Sequence, residues 1–237
     1  MKKILFPALL ILSLVYSCNK TGQVKINVLS FNIRYDNPGD SFNNWKYRKE
    51  FASEMIRFYG ADIIGAQEVL KNQLDDMVNA LPGFSVIGVG RLDGKEDGEF
   101  SPVFYNSGRF SVVKSGHFWL SETPDIPGSK GWDAACERIV TWAVFKENTS
   151  GRTFAFYNTH FDHVGDTAQR KSAGMLLAHI RENINGIPVI VSGDFNVTPD
   201  SEAISTLLSE NLLVEAGKIS EINYGPEWTF HDFGRIP

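Results

Sequence analysis

The stretch Val189-Ile-Val-Ser-Gly-Asp-Phe-Asn196 begins as an apolar strand and ends in polar residues. Its first three residues are typical of a buried strand, and Gly193 breaks the apolar run. Asp194 and Asn196 follow two residues apart, so they share one side of the chain if the backbone stays extended. Alone, an Asp-x-Asn after a strand fits an ordinary turn, because both side chains hydrogen-bond to nearby backbone.

Three further predicted strands also end in polar residues. These residues are Asn32, Glu68, Asn158 and His160. Each has an ordinary explanation as a cap, a surface position or a half-buried imidazole, but together they are hard to explain as coincidence. Ligands of α/β proteins bind in crevices outside the carboxyl ends of strands, so we expect these side chains to meet in one site.

The chemistry of this set favours a hard cation. Carboxylate and amide oxygens suit Mg²⁺ or Mn²⁺, and an imidazole beside them supplies an acid–base group. The sequence offers no Cys cluster and no His-x-x-x-His pair for zinc. Two alternatives stay open: a metal-independent glycosidase with Glu68 and Asp194 as its carboxylate pair, and a module that binds its ligand without turnover.

The N-terminus has the order of a secretory signal. Lys2 and Lys3 precede an apolar run, Ile4–Val15, which is too short for a comfortable membrane span. Leu14-Val-Tyr-Ser-Cys18 resembles a bacterial lipobox, whose Cys becomes the acylated first residue; a plain signal peptide is the alternative. We predict a signal at 1–17, a single domain at 18–237, and a lipid anchor at Cys18 that holds an exported protein to the bacterial cell envelope.

The composition fits one large domain held together by its core. Hydrophobic residues make up 43% of the chain, and acylation of Cys18 would leave Cys136 without a disulfide partner. We expect a monomer. The net charge of −5 gives no general attraction to nucleic acid, although a bound metal can supply local positive charge.

Apolar patterns along the chain predict strands and helices that alternate irregularly. Residues 139–146 and 153–159 are predicted to form a hairpin, and 102–105 a strand pair with 110–120. A helix is predicted over 47–58, with Phe51, Met55 and Phe58 on one face. Tight turns mixed with helical crossovers favour a layered mixed α/β fold that includes antiparallel pairing.

Four motifs together resemble those of the endonuclease/exonuclease/phosphatase superfamily in order and spacing. They are Leu29-Ser-Phe-Asn-Ile-Arg34, Ala66-Gln-Glu-Val69, Tyr157-Asn-Thr-His160 and Val191-Ser-Gly-Asp-Phe-Asn196. The resemblance covers about 25–196. It implies a four-layered α-β-β-α sandwich of two mixed sheets with outer helices, and metal-dependent hydrolysis of a phosphate ester, whether a small molecule, a lipid headgroup or nucleic acid.

The resemblance also implies roles for individual residues. Glu68, with help from Asn32, would hold Mg²⁺ or Mn²⁺. The predicted catalytic residues are His160, Asp194 and Asn196: the imidazole beside the phosphate, the carboxylate that orients the attacking water, and the amide on the phosphate. The predicted substrate contacts are Asn158, His163 and Arg170, although His163 could equally cap a loop and Arg170 could be a solvated helix charge.

The chain departs from the family pattern near its end. The family closes with an Asp-His pair on a final strand, and here His231-Asp232 has the reverse order and comes too early. We therefore expect a domain that lacks its C-terminal strand or strands and one catalytic His. The loops at 35–44, 91–99 and 121–135 are expected to set the substrate.

Overall fold

The computed structural model of the protein describes residues 23–184, 186–225 and 229–235. Its strands are β1 Val28–Asn32, β2 Ile63–Gln67, β3 Phe84–Ile87, β4 Val103–Asn106, β5 Phe110–Trp119, β6 Ile139–Glu147, β7 Thr153–His160 and β8 Val189–Asp194. Its α-helices are α1 Trp45–Phe58, α2 Lys71–Ala80, α3 Asp166–Asn183, α4 Glu202–Leu208 and α5 Ala216–Ile219. Short 3₁₀ helices span Pro38–Asn43 and Asp232–Gly234. The predicted signal and the predicted acylation site Cys18 lie outside the described residues.

The strands form two mixed sheets of four. The first has the order β1-β2-β4-β3, with β1 and β2 parallel and the other pairs antiparallel. The second has the order β5-β6-β7-β8, in which β7 and β8 are parallel. The predicted hairpin of β6 and β7 is confirmed. The predicted strand pair is wrong, because β4 pairs with β2 and β3 while β5 pairs with β6 in the other sheet.

Three apolar clusters define four layers. One cluster joins the first sheet to α1 and α2, and another joins the second sheet to α3 and α4. The third lies between the sheets and is rich in phenylalanine, with Phe110, Phe145, Phe154 and Phe156. The predicted α-β-β-α sandwich is thereby confirmed, and the carboxyl ends of β1, β2, β7 and β8 come together at one end of it.

Helix α1 buries a different face from the one we predicted. Trp45, Ala52 and Ile56 pack inward, whereas Phe51 is 70% and Phe58 84% exposed. The inward residues recur at helical spacing as well, and they include the largest side chain of the helix. The apolar pattern alone predicted the wrong buried face, because apolar residues recur at helical spacing on both sides of this helix.

Asn158 fastens the two sheets to each other. Its side chain, 0% exposed, projects from β7 and donates through Nδ2 to the carbonyls of Ala66 (2.7 Å) and Pro102 (3.0 Å). Its Oδ1 accepts from Nε2 of Gln67 at 2.7 Å. The predicted substrate contact is corrected here: both polar atoms of the Asn158 side chain bond to groups of the other sheet. Side chains alternate along β7, and that of Asn158 lies on the side that faces the other sheet.

Gly65 allows the sheets to approach at this point. A Cβ atom added there would lie 2.2 Å from Oγ of Ser192 and 2.5 Å from Oδ1 of Asn158, both of which are held by buried hydrogen bonds. Those distances are well inside van der Waals contact, so a larger residue would push the sheets apart.

Within the described ranges, none of the helices combines the length and the apolar character needed to cross a bilayer.

We predict that Asn158→Ala lowers the free energy of unfolding by about 3 kcal/mol, because it leaves buried partners such as Gln67 without hydrogen bonds. For a chain of this size that corresponds to a melting temperature lower by roughly 6–12 °C. Thermal unfolding followed by circular dichroism measures the shift.

The matched control is Phe58→Ser on the exposed side of α1, which should change stability by no more than about 0.5 kcal/mol. Equal melting temperatures for Asn158→Ala and wild type would show that the sheets are not fastened here.

Candidate active site

One amide nitrogen joins carboxylates that come from different sheets. Asn32, the last residue of β1, donates through Nδ2 to Oε1 of Glu68 and to Oδ2 of Asp194, each at 2.9 Å. Its Oδ1 accepts from the backbone N–H of Arg34 at 2.9 Å. The structure therefore brings three predicted site residues together, and Asn32 presents its nitrogen rather than its oxygen to the two carboxylates.

Glu68 is held in an unusual backbone conformation directly after β2. Its φ is +60°, a region that costs a residue with a Cβ about 1–3 kcal/mol and is enriched at functional sites. Its Oε2 accepts from the backbone N–H of Tyr35 at 3.1 Å and lies 3.9 Å from Nη1 of Arg34. Both carboxylate oxygens therefore accept a hydrogen bond, while 17% of the side chain remains exposed to solvent.

Arg34 and Asn196 share that left-handed backbone conformation, with φ of +58° and +51°. Arg34 also forms a two-point ion pair with Asp40, Nε–Oδ2 and Nη2–Oδ1 both at 3.0 Å. The hydrogen bond from Arg34 lowers the pKa of Asp40. Three left-handed residues thus lie at the site, one of them Glu68 itself. Asparagine is enriched in this conformation, but the residue types of Arg34 and Glu68 give no such signal.

His160 and Asn196 complete the second half of the site. Asn196 donates through Nδ2 to the carbonyl of Phe161 (3.0 Å), and the same group lies 2.9 Å from Nε2 of His160. Because this amide nitrogen is a donor, Nε2 is the unprotonated nitrogen of the ring. Nε2 also lies 3.9 Å from Oδ2 of Asp194.

The imidazole of His160 is neutral in this environment. Burial, and then the charge of Arg138, lower its pKa well below the usual value for histidine, although the Asp194 carboxylate opposes them. Its Nδ1 is buried without a hydrogen-bond partner. The lone pair at Nε2 is therefore the acceptor for Nδ2 of Asn196.

The structure adds Arg138 and Asp162, which the sequence analysis did not assign to the site. Both side chains are buried, at 4% and 1% exposure, with Nε of Arg138 3.3 Å from Oδ2 of Asp162. Burial raises the pKa of Asp162, but hydrogen bonds from several backbone N–H groups, that of Gly165 foremost, outweigh it and lower the pKa. The spacing of Asp162 two residues after His160 was the available signal.

The two remaining predicted contacts have different positions. His163 lies beside the site, with Nδ1 2.9 Å from Nη2 of Arg138. Arg170 points away from it: its Nη1 pairs with Oε1 of Glu202 at 3.4 Å on the surface. Arg170 is therefore a solvated helix charge, the alternative that the sequence left open, because its place on α3 turns it toward α4.

The donor set fits a hard cation. In the part of the chain that the structure describes, no three His, Cys, Asp or Glu side chains converge as a metal-binding group, as a transition-metal cage would require. Mg²⁺ needs less from the protein, since one or two carboxylates with water and substrate oxygens complete its coordination. Glu68 and Asp194 provide such a pair of carboxylates. The predicted ligand Asn32 is not placed as one in this arrangement, because its nitrogen faces the carboxylates and its oxygen accepts from Arg34.

Solved structures of known proteins resemble this one closely. An endonuclease/exonuclease/phosphatase from Bacteroides vulgatus is 47% identical in sequence and superposes with a TM-score of 0.83. The alignment covers 88% of this chain and 80% of that protein. A mannosyl-6-phosphatase of Bacteroides thetaiotaomicron shares 42% identity over 78% of this chain and 71% of its own, with a TM-score of 0.76.

Curated relatives are more distant and longer. The uncharacterized protein L388 of Acanthamoeba polyphaga mimivirus is 29% identical over 181 residues, which are 72% of this chain and 66% of that protein. The chain spans 36% of a second mimivirus protein, R895. A family model described as the Endonuclease/Exonuclease/phosphatase family matches residues 29–236. With that match across the sandwich and all four strand ends, the chain belongs to the endonuclease/exonuclease/phosphatase family.

Proposed function

We propose that this protein is a Mg²⁺- or Mn²⁺-dependent hydrolase of phosphate esters. The observation that carries the proposal is the pair of carboxylates, Glu68 and Asp194, held by one amide at the meeting point of two sheets. Phosphate-ester hydrolysis needs charge neutralisation and an oriented nucleophile more than covalent chemistry. The alternatives are a glycosidase, which would need no metal, and a module that binds without turnover.

Glu68, with Asn32 as its neighbour, is the proposed metal ligand. A bound Mg²⁺ or Mn²⁺ would neutralise charge on the phosphate and act as a Lewis acid. Tyr35 and Arg34 hold Glu68 from the far side, at 3.1 and 3.9 Å, which keeps the carboxylate aimed into the crevice. The carboxylate therefore needs little rearrangement when a cation arrives.

Asp194 is the proposed group that orients the attacking water. Its Oδ1 accepts from the backbone N–H of Asn196 at 3.1 Å and its Oδ2 from Asn32, so the carboxylate is fixed while 32% of the side chain remains exposed. Nδ2 of Asn196 contacts Phe161 and His160, so Asn196 would donate to a phosphate oxygen by exchanging one of these partners. The neutral His160 would take a proton from water or phosphate at Nε2 when Asn196 releases that nitrogen. Arg138 adds a positive charge nearby, and His163 contacts it.

A small phosphorylated sugar is the proposed substrate class. The support is the 42% identity to a mannosyl-6-phosphatase, together with a net charge of −5, which disfavours a polyanion. Two of the predicted specificity loops have ordering contacts. Arg91 and Glu99 pair at 2.9 Å and close the ends of one loop, and Asp133 of another accepts from the N-terminus of α3 at 2.7 Å. Release of inorganic phosphate from mannose 6-phosphate, compared with hydrolysis of a single-stranded oligonucleotide, tests this choice.

We also propose that the protein is a monomer attached to the bacterial cell envelope through an acylated Cys18. The support is the lipobox-like sequence and the order of charged, apolar and small residues before it. A single acyl chain binds a membrane only marginally. Stable attachment therefore requires a second acyl chain or an additional contact with the membrane.

We expect Glu68→Gln to lower Mg²⁺-dependent turnover at least about 100-fold, because it removes the charge that holds the cation. Phosphate release with saturating Mg²⁺ measures the effect, and excess EDTA should abolish the wild-type rate. Arg170→Gln, on the surface of α3, is the control and should keep the wild-type rate. Full phosphate release in EDTA would exclude metal dependence. Cleavage of a glycoside that EDTA leaves unchanged, without phosphate release, would favour the glycosidase; metal-dependent binding without turnover would favour the binding module.

His160→Ala is expected to reduce kcat by roughly 10²–10⁴-fold, the usual contribution of an acid–base group. Steady-state kinetics on the same sugar phosphate provides the measurement, with circular dichroism as the check on folding. An unchanged kcat would remove His160 from the catalytic residues.

For the anchor, we predict that the wild-type protein expressed in bacteria partitions into the detergent phase of a Triton X-114 extract, whereas Cys18→Ala stays in the aqueous phase. Mass spectrometry of the mature N-terminus supplies the direct measurement. A mature protein that begins at another residue would refute acylation at Cys18.

A further inference from the structure

The peptide group between Arg34 and Tyr35 faces Glu68 with its N–H. That N–H donates to Oε2 of Glu68 at 3.1 Å. Arg34, on the other side of the peptide, has a φ of +58°. This left-handed conformation is unfavourable for a residue other than glycine and persists only when surrounding contacts stabilise it. Something in the fold must therefore keep this peptide in place.

Two side chains hold the carbonyl of the same peptide. Nε2 of Gln73 donates to the carbonyl oxygen of Arg34 at 2.9 Å, and Nη2 of Arg48 lies 3.3 Å from it. In a trans peptide the C=O and N–H groups point in opposite directions. Fixing the oxygen consequently fixes the direction of the Tyr35 N–H.

Gln73 is built into this position. It is 0% exposed, and its Oε1 accepts from the backbone N–H groups of Asp36 at 3.0 Å and Leu70 at 3.1 Å. All its partners are backbone groups, on the segments that follow β1 and β2. These are the two segments that carry Arg34 and Glu68.

Arg48 approaches the same segment from α1. Its Nη1 donates to the carbonyl of Ile33 at 2.6 Å, and its Nε donates to the carbonyl of Asn43. Burial lowers the pKa of Arg48, with Asp40 opposing the effect. The guanidinium of Arg48 is half-buried and its hydrogen bonds all go to main-chain oxygens, so it shapes the backbone of this segment.

We propose that Gln73, assisted by Arg48, is a positioning residue that sets the Arg34–Tyr35 peptide and so presents an N–H donor to Glu68. If this peptide rotated, the carbonyl oxygen of Arg34 would face the carboxylate, and Glu68 would lose a donor and gain a repulsive neighbour. The consequence for cation binding rests on the proposed function; the peptide orientation does not.

Gln73→Glu is the sharpest test, because it preserves shape and both acceptor contacts but replaces the donor Nε2 with an oxygen. Without metal or substrate, we expect hydrogen exchange of the Tyr35 amide, followed by NMR, to become at least about tenfold faster. We expect the Kd for Mg²⁺, measured by calorimetry, to weaken about 10- to 100-fold, as when a partner of a metal ligand is lost. An effect of charge alone would instead tighten Mg²⁺ binding, since the variant adds a negative group near the site.

Gln73→Met keeps the size without adding charge and should show the same two changes. Arg57→Gln, which removes an arginine of α1 that donates to the carbonyl of Ala80 at 2.8 Å, is the matched control and should show neither. Wild-type exchange of Tyr35 in Gln73→Glu and Gln73→Met would overturn the proposal, as would a Mg²⁺ affinity equal to or tighter than wild type. If the wild-type protein binds no Mg²⁺, the proposed function fails, and amide exchange alone decides the role of Gln73.

Discussion

The hydrogen bonds of Asn158 are the contact on which the rest of this structure depends. A single buried amide on β7 bonds to two backbone carbonyls and to Gln67 of the opposite sheet. Gly65 leaves the space for that contact, because any Cβ would collide with it. Between the sheets, phenylalanine fills the interior farther along the strands, and amides take over near their carboxyl ends. The apolar part gives cohesion, whereas the directional part sets how one sheet lies on the other.

The candidate active site lies next to the Asn158 contacts, at the carboxyl ends of the strands. Asn32 and Glu68 come from the first sheet, and His160, Asp194 and Asn196 from the second. The amide of Asn32 lies within 2.9 Å of a carboxylate from each sheet, so a small shift between the sheets would break it. The left-handed residues Arg34, Glu68 and Asn196 store local strain that only a well-packed surrounding fold can hold.

Sequence patterns predicted the polar strand ends and the layered fold, because both depend on local alternation and on residue type. They did not predict that Asn158 would be buried, since its partners in the other sheet lie 56 to 92 residues away in the chain. The face of α1 was predicted wrongly because Phe51 and Phe58 are as apolar as the residues that it buries. The separation of β4 from β5 depends on which sheet each strand joins, and short strands carry little information about that. The left-handed backbone of Glu68 has no compositional signal at all.

The division of the site between two sheets links the loss of activity to unfolding. Many enzymes carry their reactive groups on one element, and such a site can survive while a distant part of the molecule opens. Here neither sheet alone has the full set of groups, since β1 and β2 supply one part and β7 and β8 the other. Loss of catalysis and separation of the layers are therefore one event, and turnover reports directly on the integrity of the sandwich. If a cation were held by groups from both sheets, it would add an attachment between the layers, so cation supply would also affect how long the folded protein persists.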